Sequence, residues 1–286
     1  MIPNLPKRER RAIDGILILD KPIGMSSNQA LQKVKWLFQA KKAGHTGSLD
    51  VLATGLLPIC FGRSTKLSQS LLDSDKHYVA VAQLGGRTKT GDAEGDVIDR
   101  RPVHVTDDQL QRVLEKFRGD IVQIPPMYSA LKFHGKPLYQ LARQGIEIER
   151  KPRTINIYSL NMISSTITPS PMIKLRDDTF ETAGSTVSCH PVGSNAPSSC
   201  DLIAGSSNCI TLDVRCSKGT YIRTLVEDIG EALGCGAYTV ALRRIGAGPF
   251  TAEQMITLPE LERLAQDEGF VGLDRQLVQL NSSIVD

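Results

Sequence analysis

A chain of 286 residues with 41% apolar content buries a sizeable core, as one large domain or one domain with an appendage, which excludes disorder as its overall state. The net charge of +3 and the pI of about 8.5 admit an anionic partner without demanding one. No stretch of about 18 apolar residues occurs and the run Ile16 to Leu19 is too short for a secretory signal, so a cytoplasmic chain without membrane contact is expected.

A basic N-terminal arm, residues 1–13, leads into Gly15 to Asp20, which reads as a short buried strand ended by the turn Lys21-Pro22-Ile23-Gly24. Ser26 and Gln29 form a capping box, and Leu31, Val34, Leu37 and Phe38 recur at helical spacing to about residue 39. Gly44 to Ile59 follows, a Gly- and Thr-punctuated loop running into an apolar tail, with Asp50 the only formal charge between His45 and Arg63. Unpaired burial of an ion is costly, so Asp50 is either the cap of a structural loop or a carboxylate with a cation or a reaction to serve. His77 to Leu84 reads as a strand, with Tyr78, Ala80 and Ala82 on one face and Val79, Val81 and Leu84 on the other.

Thr106 or Asp107 caps a helix whose Leu110, Val113, Leu114 and Phe117 face inward, ending near Gly119. A Pro-stiffened segment, Ile124 to Lys132, precedes a short helix at Leu138 to Arg143 and a strand at Thr154 to Ile163. From about residue 164 to 208 the composition turns to Ser, Thr, Pro, Gly and Cys without period, which predicts a long surface insertion, partly disordered. Ile210 to Val214 resumes as a strand, and Cys216 to Thr224 turns at Gly219 into a helix carrying Leu225, Ile229 and Leu233, which puts Tyr221 and Arg223 near a helix start. Ala237 to Ile245, with Leu242, reads as a strand and Leu258 to Ala265 as a helix. The sum is an α+β architecture with a central sheet.

Basic residues cluster at Lys7 to Arg11, Lys41-Lys42, Lys132 to Lys136, Arg150 to Arg153 and Arg243-Arg244, where they either line a phosphate track or are scattered solubilising charge. The cysteines, at 60, 189, 200, 209, 216 and 235, form no C-x-x-C pair, so reduced thiols and no metal centre are expected.

Asp20-Lys21-Pro22 with Gly24 to Asn28, the Gly44-to-Ile59 block, Tyr78, Met127 to Lys132 and Cys216 to Thr224 occur in that order. The ordered set resembles the bacterial TruB family, the tRNA pseudouridine-55 synthases, from about Asp14 to about Pro259. The resemblance implies the pseudouridine synthase fold, α+β, with a central mixed, mainly antiparallel sheet flanked by helices and loops, and a catalytic domain over residues 14–250. It implies an isomerase that breaks the glycosidic bond of one T-loop uridine and rejoins the ribose to C5 of the same base, with no cofactor and no metal.

On this resemblance Asp50 is the nucleophile and Arg223 its counter-ion. Tyr78 stacks on the extruded uracil and helps remove the C5 proton, while Tyr221 and Leu242 wall the uridine pocket. His45 takes the space of the extruded nucleotide, offsetting part of a flip that costs a few kcal/mol. Lys21 contacts phosphate or braces the loop. The implied partner is tRNA through its T-arm and T-loop, with no obligatory protein partner, and the chain is expected to be a monomer. The alternative function is help in folding tRNA, independent of catalysis. The chain departs from the family pattern at Val51, where Pro is usual, and in the length of the insertion. Over 251–286 a helix and tail stand where the family carries a small RNA-binding domain, so that domain is expected to be largely absent.

Overall fold

The structure, a computed structural model, describes residues 10–167 and 207–279. β1 (Gly15–Lys21) is followed by α1 (Ser27–Leu37), β2 (Ala43–His45), β3 (Thr54–Phe61), α2 (Ser68–Asp73), β4 (Lys76–Leu84) and the hairpin of β5 (Gly86–Thr88) and β6 (Val97–Arg100). Next come α3 (Asp107–Lys116), β7 (Gly119–Gln123), the two-residue strands β8 (Lys132–Phe133) and β9 (Lys136–Pro137), and α4 (Leu138–Arg143). β10 (Arg153–Ser165), β11 (Cys209–Cys216), α5 (Ile222–Ala232), β12 (Ala237–Ala247), β13 (Phe250–Thr251), β14 (Ile256–Thr257), α6 (Leu258–Asp267) and α7 (Gly269–Asp274) complete the described residues. The arm before Arg10, most of the predicted insertion, and Cys189 and Cys200 lie outside them.

One large sheet runs in the order β14-β1-β3-β12-β4-β11-β10-β7, with β2 added to β3 and β13 to β12. β1 with β14 and β3 with β12 pair parallel, and the other neighbours pair antiparallel. This is the mixed, mainly antiparallel sheet that the resemblance implied. Its main core joins Leu17, Leu19, Leu57 and Ile59 to the inner stripes of α1, α3, α5 and α6, while Ile16, Ile18, Leu56, Cys60 and Phe250 form a smaller cluster. β1 and β3 are therefore apolar on both faces, and neither shows the alternation of a half-exposed strand. That is why the tail of the Asp50 segment did not announce β3. Leu84 faces the main core with Tyr78, Ala80 and Ala82, not the face assigned to it above, because the side-chain period of a strand is two and all four positions are even.

The sequence signals at helix starts hold. Ser26 and Thr106 make reciprocal capping boxes with Gln29 and Gln109, and α1 and α3 bury Leu31, Val34, Leu110 and Leu114. Tyr221 is the N-cap position of α5, which buries Leu225, Val226 and Ile229.

β3 and β12 meet most tightly at Gly55, whose φ of +98° suits glycine and where an added Cβ would lie 2.2 Å from the Arg244 carbonyl oxygen. Gly55→Ala is expected to cost at least about 2 kcal/mol, combining backbone strain with a clash against backbone that cannot swing aside. Urea unfolding measures it; an unchanged midpoint means that the two strands separate freely here.

Candidate active site

Asp50 lies on the loop between β2 and β3, and three neighbouring elements hold that loop. The Ser27 hydroxyl, in the first turn of α1, receives the Leu49 N–H at 2.7 Å and donates to the Leu49 carbonyl at 3.0 Å. The Gly24 N–H donates to the Val51 carbonyl at 3.0 Å, and the Arg244 guanidinium of β12 donates to the Gly47 carbonyl at 3.2 Å. The serine pair thus divides its work: Ser26 caps the helix and Ser27 anchors the loop. Val51, the departure from proline, is tied through its carbonyl.

Arg223, in the first turn of α5, brings its Nε within 3.0 Å of Asp50 Oδ2. Its other nitrogens are also committed: Nη1 lies 3.3 Å from Asp92 Oδ2 and donates to the Thr90 carbonyl at 2.9 Å, while Nη2 donates to the Tyr128 carbonyl at 2.7 Å. The planar fork of a guanidinium meets all four groups at once, which a lysine ammonium does not. Arg223 and Asp92 are buried, whereas 45% of the Asp50 side chain faces the cleft. One charged pair stays inside and one carboxylate is presented outward.

The cleft, of about 410 Å³, is lined by Asp50, Tyr78, Tyr221, Arg223, Leu242 and Arg244, with Ser129, Leu131, Arg153 and Leu72 around them. Its volume falls in the range of small-molecule sites. The catalytic and pocket-wall residues anticipated from sequence converge here. His45 does not: it sits half-buried on β2, outside the lining, where burial and then the Arg244 charge hold its imidazole below the ordinary range. Lys21 is fully buried, with its ammonium donating to the Pro22 and Met25 carbonyls at 2.9 and 2.6 Å, so of its two anticipated roles the geometry accommodates the brace and not the phosphate contact. Burial brings it down to about 8, against the pull of Asp50.

Burial also pushes the Asp50 carboxyl up; Arg223 and Lys21 pull it back, and Asp92 adds to the rise. The counter-ion therefore moderates a raised value without reversing it. Tyr78 is raised by burial as well, with Arg244 opposing, so its phenol holds its proton until a bound partner draws it off.

Asp92, Arg244 and Gln123 are the participants that the sequence did not single out. Asp92 stands in Lys89 to Asp96, a run of turn formers and acids that reads as an ordinary hairpin tip. Gln123 is buried and grips the Tyr221 backbone with both ends of its amide, at 2.8 and 3.0 Å. Arg243 and Arg244 looked like one basic cluster, and the structure gives them separate partners. Arg243 makes a two-pronged pair with Asp20 at 3.0 and 2.7 Å, and Arg244 turns inward to the Leu56 carbonyl at 2.7 Å.

Comparisons with known proteins bear on this site. Residues 35–179 match the model of the TruB family pseudouridylate synthase N-terminal domain, and residues 223–284 match that of the tRNA pseudouridylate synthase B C-terminal domain. Over 280 residues the chain is 51% identical to tRNA pseudouridine synthase B of Pseudomonas fluorescens, covering 98% of this chain and 79% of that protein. The enzyme of the same name from Pseudomonas aeruginosa is 50% identical over 279 residues, with the same coverage of 98% and 79%. Among solved structures, a chain of a Cbf5-Nop10-Gar1 complex superposes with a TM-score of 0.61 at 26% identity, covering 92% of this chain and 59% of that one.

Proposed function

The chain belongs to the TruB family of pseudouridylate synthases, and from that premise we propose that it converts uridine 55 in the T-loop of tRNA to pseudouridine with Asp50 as the nucleophile. The protein is a tRNA pseudouridine synthase, an isomerase: no atom is gained or lost. The bond from ribose C1′ to base N1 breaks, a bond from C1′ to C5 forms, the C5 proton leaves and N1 takes up a proton. The observation that carries the residue assignment is the contact of Arg223 Nε with Asp50 Oδ2 at 3.0 Å, in a cleft that Tyr78, Tyr221 and Leu242 also line.

Asp50 adds transiently to the sugar or the base and departs, as carboxylate nucleophiles do. Arg223 keeps it directed into the cleft and stabilises its charge when it leaves. Tyr78 lies against the extruded uracil and relays the C5 proton with help from water or a shared hydrogen bond, and Tyr221 and Leu242 exclude solvent. His45 fills the gap left in the T-loop; its position outside the cleft suits a residue that meets RNA rather than the flipped base. Lys21 braces the turn beside the Asp50 loop. Residues 14–250 form the catalytic domain and 251–286 the C-terminal helix and tail, and the enzyme works as a monomer in the cytoplasm. An isolated role in RNA folding does not call for a nucleophile held by a buried Arg223–Asp92 pair.

Carbodiimide mapping of unmodified tRNA after incubation with the protein tests the reading, a modified base at position 55 being the expected product. Tyr78→Phe keeps the ring and removes the hydroxyl. It is expected to lower kcat by about 10² to 10⁴ with KM little changed, the range that a lost proton-transfer group produces. Release of tritium from C5-labelled uridine measures it, and a kcat equal to the unsubstituted enzyme removes the hydroxyl from the chemistry.

A further inference from the structure

The end of α1 remote from the cleft gathers positive charge that the catalytic site does not use. The Arg11 N–H donates to the Gln39 carbonyl at 2.7 Å and the Lys41 N–H to the Arg11 carbonyl at 2.9 Å, while the Gly62 N–H donates to the Lys42 carbonyl at 3.1 Å. These bonds bring Arg10, Lys41, Lys42 and Arg63 to the turn that follows α1, beside Lys35 in its last turn. Some of the local charge is answered: Arg63 pairs with Asp14 and Arg11 with Asp274. Among the described residues, no carboxylate lies within ion-pair distance of Arg10, Lys35, Lys41 or Lys42. Next to Lys35 in the last turn of α1, and so at the same end of the helix, stands Trp36, the only tryptophan of the chain, 66% exposed.

A lone exposed apolar residue is ordinary. An exposed indole at the same helix end as unanswered cations is a different object: together they offer a flat π surface to a base or ribose, and ammonium groups to the phosphates on either side. The location also fits the substrate. Ser27 at the other end of α1 touches the Asp50 loop, and eleven helical residues span about 16 Å, so RNA seated with its loop in the cleft has neighbouring backbone within reach of this patch.

We propose that Trp36 with Lys35, Lys41 and Lys42 forms a second RNA contact, which holds the strand flanking the modified loop and supplies affinity. This rests on the reading of the protein as a tRNA-modifying enzyme and adds a binding surface to it. The cations contribute the salt-dependent, sequence-independent part of binding, and Trp36 contributes stacking. An acidic protein would suit the lysines but not the indole, and a second copy of this chain would bring like charges together.

The test uses the full chain and unmodified tRNA. Trp36 is its own reporter, so its fluorescence is expected to fall as tRNA is added, saturating at one equivalent. Lys41→Glu with Lys42→Glu is expected to raise Kd at least tenfold and to flatten the dependence of log K on log salt by about 1.5, as for two lost phosphate contacts. Trp36→Ala is expected to raise Kd about fivefold or more, within the range for a lost stacking platform. Circular dichroism checks that each variant folds. Unquenched fluorescence at saturating tRNA overturns the proposal, as does wild-type Kd in both variants, or fluorescence that follows protein concentration without RNA. Should the unsubstituted protein make no pseudouridine, the functional reading fails; should it do so while both variants bind normally, only this inference fails.

Discussion

Asp50→Asn is expected to abolish pseudouridine formation, by at least about 10⁴ in kcat, while tRNA binding and thermal stability are retained. The amide keeps the shape of the carboxylate and cannot act as the nucleophile. The retained stability follows from the electrostatics. Desolvation by the surrounding protein holds the Asp50 carboxyl above its ordinary range, and solvent reaching the 45% of the side chain that is exposed weakens the effect, so folding favours the protonated form only modestly. For a raised carboxylate, the associated stability is present in full below the unfolded-state pKa and is lost as pH rises through the folded value. A permanently neutral side chain avoids that loss, and Arg223 still keeps Asp92 and the Thr90 and Tyr128 carbonyls. The melting temperature of Asp50→Asn at neutral pH is therefore expected to equal or exceed that of the unsubstituted protein, and a fall of several degrees contradicts this account. Catalysis runs the opposite way with pH. It needs the ionised form, so kcat drops on the acid side as pH falls through the raised Asp50 value.

Arg223→Met is expected to fail in both respects. Asp92 is left buried without its cation, a defect that costs about 3–5 kcal/mol. Two backbone carbonyls lose their donors as well. Asp50 loses the group that opposes its burial, so the acid limb of the pH profile moves to higher pH, and kcat falls by at least about 10². Arg223→Lys is expected to restore part of the stability and little of the activity, since one ammonium does not serve both carboxylates and both carbonyls. Urea denaturation with steady-state tritium release separates the two effects. A stable, active Arg223→Met enzyme would falsify the assignment of Arg223 as the shared counter-ion.

The fold was legible where local chemistry and tertiary burial agree. The capping box at Ser26, the cap at Thr106 or Asp107 and the helical stripes behind them are short-range signals, and α1 and α3 follow them closely, with Thr106 the residue that caps α3. β3 was not legible, because a strand buried on both faces shows no period to distinguish it from an apolar loop tail. In the site, Asp50 stood out for its isolation, Arg223, Tyr78 and Tyr221 were carried by the ordered blocks, and Leu242 only by the family resemblance that those blocks support. Asp92 was hidden among ordinary turn acids, and Arg244 beside Arg243 looked like surface charge. Only the inward turn of one arginine and the outward pairing of the other, properties of β12 within the sheet, tell them apart.

The parallel pairing of β3 with β12 joins segments far apart in the chain; the Arg244 bond to the Leu56 carbonyl spans 188 positions. A ribosome makes the nucleophile early and the parts that orient it late. At roughly 5–20 residues per second, an emerging chain carries Asp50 for many seconds with neither Arg223 nor Arg244 yet synthesised. Translation thus delivers the reactive loop unarmed, and the enzyme becomes competent only when synthesis has passed β12.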